Sequence, residues 1–354
     1  MIGVKLDDSS HCIHYNKRCK PLFTYIFMAK FTSVEICAGA GGQALGLEMA
    51  GFEHLATVEI DAHACQTLRH NRPKWNVVEQ DVKTFNAEKF SGVDLFAGGV
   101  PCPPFSFAGK QLGNLDERDL FPDALRLVEQ CNPKAVLLEN VRGLSSPKFE
   151  YYRTWILQTL SKLGYKSDWR VLNASSYGVP QLRPRFILVA IKEEYAEYFT
   201  WPKGEDKVVT VGDALFDLIA ENGWQGADEW LNYSNKIAPT LVGGSKKHGG
   251  ADLGPTRAKR QWLDLKVDGK GIVDVGPAFD APVDLIPRLT LRMAARIQGF
   301  PDEWHFCGKK TSAYRQIGNA FPPPVARAVG LAIINALKKK KEKRTIEDGL
   351  FSLV

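Results

Sequence analysis

A cysteine set among prolines, in Val93-Asp94-Leu95-Phe96-Ala97-Gly98-Gly99-Val100-Pro101-Cys102-Pro103-Pro104-Phe105-Ser106, is the residue of this 354-residue chain whose surroundings best suit chemistry. The apolar run ahead of it reads as a buried strand, so Cys102 falls just past a strand's carboxyl end, where open α/β sheets place their ligands. Prolines stiffen the loop and remove backbone donors. A thiolate held there is a nucleophile for covalent catalysis. Its population at neutral pH needs help from cationic neighbours, because the reference thiol pKa is about 8.5. Taken alone, a lone cysteine is more often an inert buried residue.

Two other strand ends can supply an acid and cations. The run Ala135 to Leu138 leads into Glu139-Asn140-Val141-Arg142, and Gln181-Leu182-Arg183-Pro184-Arg185 precedes the run Phe186 to Ile191. Convergence of Glu139, Arg183 and Arg185 on Cys102 would assemble nucleophile, proton donor and charge stabilisation. Each singly reads equally well as half of a surface ion pair.

A cofactor site begins at Ala38-Gly39-Ala40-Gly41-Gly42-Gln43-Ala44-Leu45-Gly46, a glycine-rich turn that follows the first strand and opens a helix. Small residues let backbone come close to a ligand. Glu59, at the end of the next strand, can accept hydrogen bonds from the ribose hydroxyls of a nucleoside cofactor. Gly39, Gly41 and Ala44 also fit the dinucleotide fingerprint, which keeps a nicotinamide-dependent oxidoreductase in play. Asp81, after Val77-Val78, can take a hydrogen bond from an adenine amino group or serve simply as a turn residue. No metal is expected. The seven cysteines form no CxxC pair, and the cluster His11, Cys12, His14, Cys19 lacks zinc-ligand spacing.

The elements that must carry these residues alternate. Short apolar runs (Val34 to Cys37, Leu55 to Val58, Val93 to Phe96, Ala135 to Leu138, Phe186 to Ile191) are separated by helical stretches such as Asp119 to Cys131. That alternation predicts an α/β fold with a doubly wound, mostly parallel sheet. After Trp201-Pro202 the chain becomes irregular and glycine-broken up to Pro287, which reads as a second, smaller domain. In it Lys236, Lys246, Lys247, His248, Arg257, Lys259 and Arg260 outnumber Asp252 and Asp264, a pattern that suits either a phosphate backbone or plain solvation. A final helix, Val325 to Leu337, runs into the charged stretch Lys338 to Arg344. The expected organisation is an N-terminal extension over 1–30, read as a disordered polar arm; a catalytic and cofactor-binding domain over 31–200; a target-recognition domain over 201–300; a returning segment over 301–340; and a basic tail over 341–354.

Composition sets the outer limits. With 44% hydrophobic and 24% charged residues the chain matches soluble globular enzymes and not disordered ones. The formal net charge of +6 suits a phosphate-bearing partner without requiring one. No apolar run reaches the roughly 18 residues of a membrane span. Pro21 to Ala29, behind Lys17, Arg18 and Lys20, weakly imitates a signal peptide, but a strand begins at Phe31 and leaves no spacer for cleavage. Met28 is a candidate start, which makes 1–27 an extension without function. Scattered, odd-numbered cysteines indicate reduced thiols and a cytoplasmic setting.

Read together, these blocks closely resemble the cytosine-C5 DNA methyltransferases of the bacterial restriction-modification type. The blocks run in family order: Gly39 to Gly42, Glu59, Asp81, Pro101-Cys102, Glu139-Asn140-Val141, Gln181 to Arg185, Arg288 to Gln298, and Gln316-Ile317-Gly318-Asn319. The resemblance implies the S-adenosylmethionine-dependent methyltransferase fold and attack of Cys102 on C6 of cytosine. It implies further that Glu139 holds or protonates N3, that Arg185 contacts O2, and that Arg183 orders the same pocket. For S-adenosyl-L-methionine it assigns Gly39, Gly41, Gly42 and Pro101, with Cys37, Ala38 and Gly99 beside them, to the methionine part. Glu59 goes to the ribose, Ile60, Asp81 and Val82 to the adenine, and Asn319 to the closing wall.

The same resemblance implies base flipping out of double-stranded DNA, with Ser106 to Arg118 as the closing loop. Ser106, Lys110, Arg118, Lys246, Lys247, His248, Arg257 and Arg260 are its candidate DNA contacts. A monomer suffices, without membrane contact, and a cognate restriction endonuclease would act on the same site without forming a stable complex. The same chemistry on transfer RNA, and a non-catalytic DNA-binding relative, are the alternatives. Cys37 stands where the family has phenylalanine, Glu35 where it has aspartate, Pro103 where it has glutamine and Met293 where it has glutamate, the last bringing into question an ion pair near Arg292.

Overall fold

A computed structural model describes residues 31–101, 119–205, 208–244 and 250–351, with side chains as far as 340. Seven strands, β1 (Phe31–Ile36), β2 (Phe52–Glu59), β3 (Val77–Glu79), β4 (Leu95–Gly99), β5 (Ala135–Val141), β6 (Tyr165–Asn173) and β7 (Pro184–Lys192), form one sheet. Their order is β3-β2-β1-β4-β5-β7-β6. The first five are parallel, and β7 runs antiparallel to both β5 and β6. The chain builds outward from β1 to β3 on one side, then crosses to β4 on the other. The crevice at the carboxyl ends of β1 and β4 is therefore the switch point, where such sheets bind ligands.

Eleven α-helices are described. They are α1 (Gly42–Ala50), α2 (Ala62–Asn71), α3 (Phe121–Cys131), α4 (Glu150–Lys162), α5 (Glu193–Ala196), α6 (Val211–Ile219), α7 (Ala227–Ser234), α8 (Thr256–Leu263), α9 (Leu291–Gln298), α10 (Lys310–Asn319) and α11 (Pro323–Phe351). Strand periodicity sends alternate side chains to two cores. Val34, Ile36, Phe96, Val136 and Leu138 pack with α3 and α4, whereas Leu95, Ala97, Leu137, Ile187 and Val189 pack with α1 and α11. At that second face Gly46 is obligatory, since a Cβ there would stand 2.3 Å from the Pro323 carbonyl oxygen.

β6 was not expected. Its sequence, YKSDWRVLN, carries no apolar run because an edge strand has a single neighbour and is covered mainly at Tyr165 and at Trp169, which stacks on Phe186 at 4.6 Å. The stretch read as irregular holds α6, α7 and α8 around three tryptophans, Trp224, Trp230 and Trp262, in a core that continues through Leu253 to Met293 and Ile317. Thr210 and Asp213 close a capping box at the start of α6. Met293 is buried in that core, and the ion pair its presence brought into question is made by Asp302, which Arg292 and Arg296 both reach at 2.6 Å.

Residues 341–351, expected as a tail, continue α11. Lysine, glutamate and arginine are good helix formers, and no proline interrupts the run. By length and mean hydropathy the helical stretch Lys310–Lys340 is also long and apolar enough to cross a membrane. Val325, Val329, Ile333 and Ala336 instead bury its apolar side in the protein core.

Candidate active site

β1 ends in a turn that only unusual backbone can make. Cys37, Gly39 and Gly41 all have positive φ, at 50°, 54° and 86°. Glu59, at the end of β2, organises this turn. Its Oε2 accepts from the Gly39 amide at 2.7 Å, and its Oε1 accepts from the Ile60 and Asp61 amides at 2.8 Å each. A carboxylate has about four acceptor positions. Three are thus occupied, and the one left lies on Oε2.

The turn lines a cavity of about 350 Å³ together with Cys37, Ala38, Gly42, Ile60, Asp81 and Val82. Gly41 is set back from this lining, and a Cβ there would lie 2.7 Å from Leu68 Cδ2. Space in front of Gly39 is open. Among the described residues, five acidic side chains, Glu35, Glu59, Asp61, Asp81 and Glu139, line this cavity, against one cation, Arg315. Burial, reinforced by Glu59, pushes the Glu35 carboxyl well above the ordinary carboxylate range. With Glu35 neutral, the negative charge comes from Glu59, Asp61 and Asp81, which repel the pyrophosphate of a dinucleotide and suit a cationic cofactor carrying sulfonium and ammonium groups.

A second cavity, of about 460 Å³, adjoins the first. Gly99, Pro101, Glu139 and Asn319 line both, so the two spaces share a wall. Glu139 and Arg185 meet here because β5 and β7 pair Val141 with Arg185 and Glu139 with Ile187, making Glu139 and Arg185 diagonal neighbours on one face. Arg185 Nε lies 2.7 Å from Glu139 Oε1. Burial nevertheless raises the pKa of Glu139, and Arg185 and then Arg183 oppose that rise without cancelling it. The group is therefore held nearer to its protonated form than a solvated carboxylate.

Arg183 has a different task. It is fully buried, and its guanidinium donates to the carbonyl oxygens of Leu241 at 2.8 Å, Gly318 at 2.7 Å and Ala320 at 3.0 Å. It clamps the 240–244 loop of the middle region to the end of α10, forming the far wall of the second cavity. On that wall Gly318 and Gly243 touch so closely that a Cβ on Gly318 would be 2.5 Å from Gly243 Cα. Asn319 adds a hydrogen bond from Nδ2 to the Gly244 oxygen at 3.1 Å.

Sequence reasoning did not single out Asn140, Gln181 or Arg315. Asn140 is buried and donates from Nδ2 to the Val100 oxygen at 2.8 Å, fixing the backbone immediately before Pro101. Gln181 donates to Ile297 O and accepts from Leu241 N. Both lie inside blocks already quoted, so position in the block was the available signal. Arg315 sits one turn before Asn319 and carried none.

Cys102, Ser106, Lys110, Arg118, Lys246, Lys247 and His248 lie outside the described residues. Pro101, which precedes Cys102, is on the shared wall. Cys37 is the described cysteine that lines a cavity, and burial with the nearby Glu59 and Glu35 pushes its thiol far up, so it stays protonated. Cys65 and Cys131 are pushed up to about 12 by burial. Arg257 and Arg260 stand exposed on α8.

The family model for C-5 cytosine-specific DNA methylase matches residues 31–335. The chain is 58% identical over 315 residues to the Type II methyltransferase M.NgoMIV of Neisseria gonorrhoeae, covering 88% of this chain and 99% of that one. It is 56% identical over 321 residues to M.NaeI of Lentzea aerocolonigenes, covering 90% and 78%. Among solved structures, a candidate DNA modification methyltransferase encoded within a prophage of E. coli superposes with a TM-score of 0.61 at 26% identity, covering 87% of this chain and 99% of that one. The Entamoeba histolytica methyltransferase EhMeth shares the fold, with a TM-score of 0.62 at 15% identity over 87% and 99% of the two chains.

Proposed function

The chain belongs to the C-5 cytosine-specific DNA methylases and is a DNA cytosine-C5 methyltransferase of the restriction-modification type, and from that premise we propose a specific reaction: transfer of the methyl group of S-adenosylmethionine to C5 of a cytosine flipped out of duplex DNA, through a covalent bond between Cys102 and C6. The observation that carries this reading is the wall shared by the two cavities, at Gly99, Pro101, Glu139 and Asn319. A donor in the acidic cavity and a base in its neighbour would face each other across it, beside the residue that precedes Cys102.

Bound S-adenosylmethionine would supply an electrophilic methyl group on a cationic sulfur. Cysteine, acid and arginine make the acceptor reactive. The Cys102 thiolate adds to C6, forming a C–S bond, and the ring electrons displaced in that step are neutralised at N3 by the proton that Glu139 holds. Arg185, fixed by Glu139, faces the O2 side of the ring. C5 then has enamine character and would accept the methyl group, the donor's sulfonium leaving as a neutral thioether; loss of the C5 proton to a solvent base re-forms the C5–C6 double bond and expels the Cys102 thiolate, while the N3 proton returns to Glu139. Cys37, Gly39, Gly42, Ala38 and Gly99 hold the methionine end, Glu59 Oε2 receives a ribose hydroxyl, and Ile60, Asp81 and Val82 receive the adenine, with Asn319 closing the site.

The middle region, 201–300, is the target-recognition domain in this reading, joined to a catalytic domain over 31–200 and a returning segment over 301–340. Arg257 and Arg260, together with Ser106, Lys110, Arg118, Lys246, Lys247 and His248, contact the DNA. The enzyme acts as a monomer in the cytoplasm and shares its site with a cognate restriction endonuclease without binding it stably.

Transfer of labelled methyl from S-adenosylmethionine to duplex DNA and to transfer RNA, by the intact protein and by Cys102→Ala, tests the reaction. Duplex DNA is expected to be labelled by the intact protein alone. Labelling of transfer RNA only would overturn the substrate, and product formed by Cys102→Ala would overturn the covalent mechanism.

A further inference from the structure

The basic residues of the middle region fall into two groups once their partners are known. Lys259 Nζ is 2.9 Å from Asp252, Arg288 Nε is 2.8 Å from Asp268, and Lys266 Nζ lies 4.8 Å over the Tyr233 ring. Arg257 and Arg260 have no carboxylate partner among the described residues. Both belong to α8, whose sequence TRAKRQWL turns one side toward the core, although its last residue, Leu263, is exposed. Ala258, Trp262 and Leu265 turn toward the core, with Trp262 fully buried, whereas Arg257, Arg260, Gln261 and Asp264 share the exposed face.

This helix packs beside the wall of the second cavity. Val242, which lines that cavity, lies 3.3 Å from where a Cβ on Gly254 would be, and Ala258 Cβ lies 3.6 Å from the same point. The left-handed Gly254, at φ 101°, allows that close approach. Trp262 on the inner side and the Lys259–Asp252 pair at the flank hold α8 at two points, so its outer face is presented by a fixed support. With side chains an α-helix is roughly 10–12 Å across, which the roughly 12 Å width of the major groove admits.

We propose that α8 is the element with which the enzyme reads the duplex beside its target cytosine, with Arg260 and Gln261 addressing base edges in the major groove and Arg257 on the same face. This inference rests on the duplex-DNA reading above. Two unpaired arginines complement a polyanion, but position alone would allow them to touch phosphates only. The presence of Gln261 between Arg260 and Asp264 on the same face argues for base edges, because an amide pairs bidentately with adenine, as an arginine fork does with guanine.

A pool of duplexes with randomised sequence, methylated by the protein and sequenced for the cytosines modified, tests this with the wild type, Arg260→Ala, Arg260→Lys and Gln261→Ala. Each alanine variant is expected to relax preference at its own base pair by about ten- to a hundredfold, the equivalent of one lost bidentate contact. Arg260→Lys is expected to behave like Arg260→Ala, since an ammonium lacks the fork. Unchanged affinity for S-adenosylmethionine would show the variants folded. An unchanged sequence preference, with all sites weakened together or with Arg260→Lys fully active, would overturn base reading by α8. Failure of the underlying reading looks different, because the wild type itself would then methylate no duplex.

Discussion

Arg185 Nε and Glu139 Oε1 lie 2.7 Å apart on neighbouring antiparallel strands, and burial still raises the acid's pKa against that charge. The pair therefore does two things. The arginine is oriented by a partner it cannot leave cheaply, and the carboxyl is kept close to the form that can give a proton to a ring nitrogen.

Glu139→Gln keeps an acceptor for Arg185 and removes the proton. Methyl transfer is expected to fall by about 10²- to 10⁴-fold, the usual worth of positioned acid catalysis, with S-adenosylmethionine still bound. The raised pKa also sets the sign of the pH dependence. The acid form is lost as pH rises through that pKa, so the wild-type rate has a falling alkaline limb that the variant lacks. Steady-state rates across pH would show both, and a variant within a few-fold of wild type at every pH would remove Glu139 from the chemistry.

Arg183→Lys addresses the clamp. One ammonium cannot reach the Leu241, Gly318 and Ala320 carbonyls together, and hydrogen bonds to charged groups contribute about 1.5–3 kcal/mol each. The expected loss is on the order of 3 kcal/mol in stability, with weaker methyl transfer because the cavity wall loosens. Arg185→Lys should cost activity with much less stability. Denaturant melts beside rates separate the two, and equal effects of the two substitutions on both readouts would refute the division of labour.

That division shows where the sequence was legible. The parallel strands β1, β4 and β5 announce themselves as apolar runs because both faces are buried. β6 does not, being an edge strand with alternating exposure. The short helices α6, α7 and α8 are hidden by intervening glycines, and their core depends on tryptophans far apart in sequence. Glu139, Arg183 and Arg185 could all be named from motifs, but only three-dimensional placement distinguishes an arginine bound to a carboxylate from one bound to carbonyls in two distant loops. Glu59 likewise reads as a ribose ligand, while its three backbone partners become visible only when the turn is built.

His54 ties β1 and α1, which flank that turn, to the pH of the medium. Its Nε2 lies 2.8 Å from the Ala44 carbonyl oxygen and its Nδ1 2.8 Å from Ser33 Oγ. A carbonyl only accepts, so Nε2 carries the hydrogen, and in the neutral ring Nδ1 accepts from the Ser33 hydroxyl. Burial lowers its pKa below the unfolded value of about 6.5. Below that value the unfolded chain takes up a proton that the folded chain refuses. Stability is thus full above about pH 6.5 and falls, as pH drops toward the lowered folded pKa, by up to about 1.4 kcal/mol per pH unit. Urea midpoints for wild type and His54→Gln at pH 7.5, 6.5 and 5.5 test this: the variant should be less stable at pH 7.5 and lose less on acidification. Parallel losses would clear His54 of the effect.

Glu59→Gln isolates what the carboxylate does for the cofactor. Oε1 and Oε2 accept three backbone N–H groups, and an amide replaces one of those oxygens with a donor. Either the Gly39 amide or the Ile60 and Asp61 amides would then face an N–H, and the turn would have to move to avoid it. The cavity would also lose one of the acidic groups that suit a cationic cofactor. Leaving buried donors unpaired costs about 1–3 kcal/mol each, so affinity for S-adenosylmethionine is expected to fall at least about tenfold. Because Glu59 touches none of the groups that act on cytosine, the loss should appear in KM for the cofactor, with kcat at saturation largely kept. Calorimetric titration with S-adenosylmethionine beside saturation kinetics reads both, and unchanged affinity, or a kcat that collapses while KM holds, would rule out this role for Glu59.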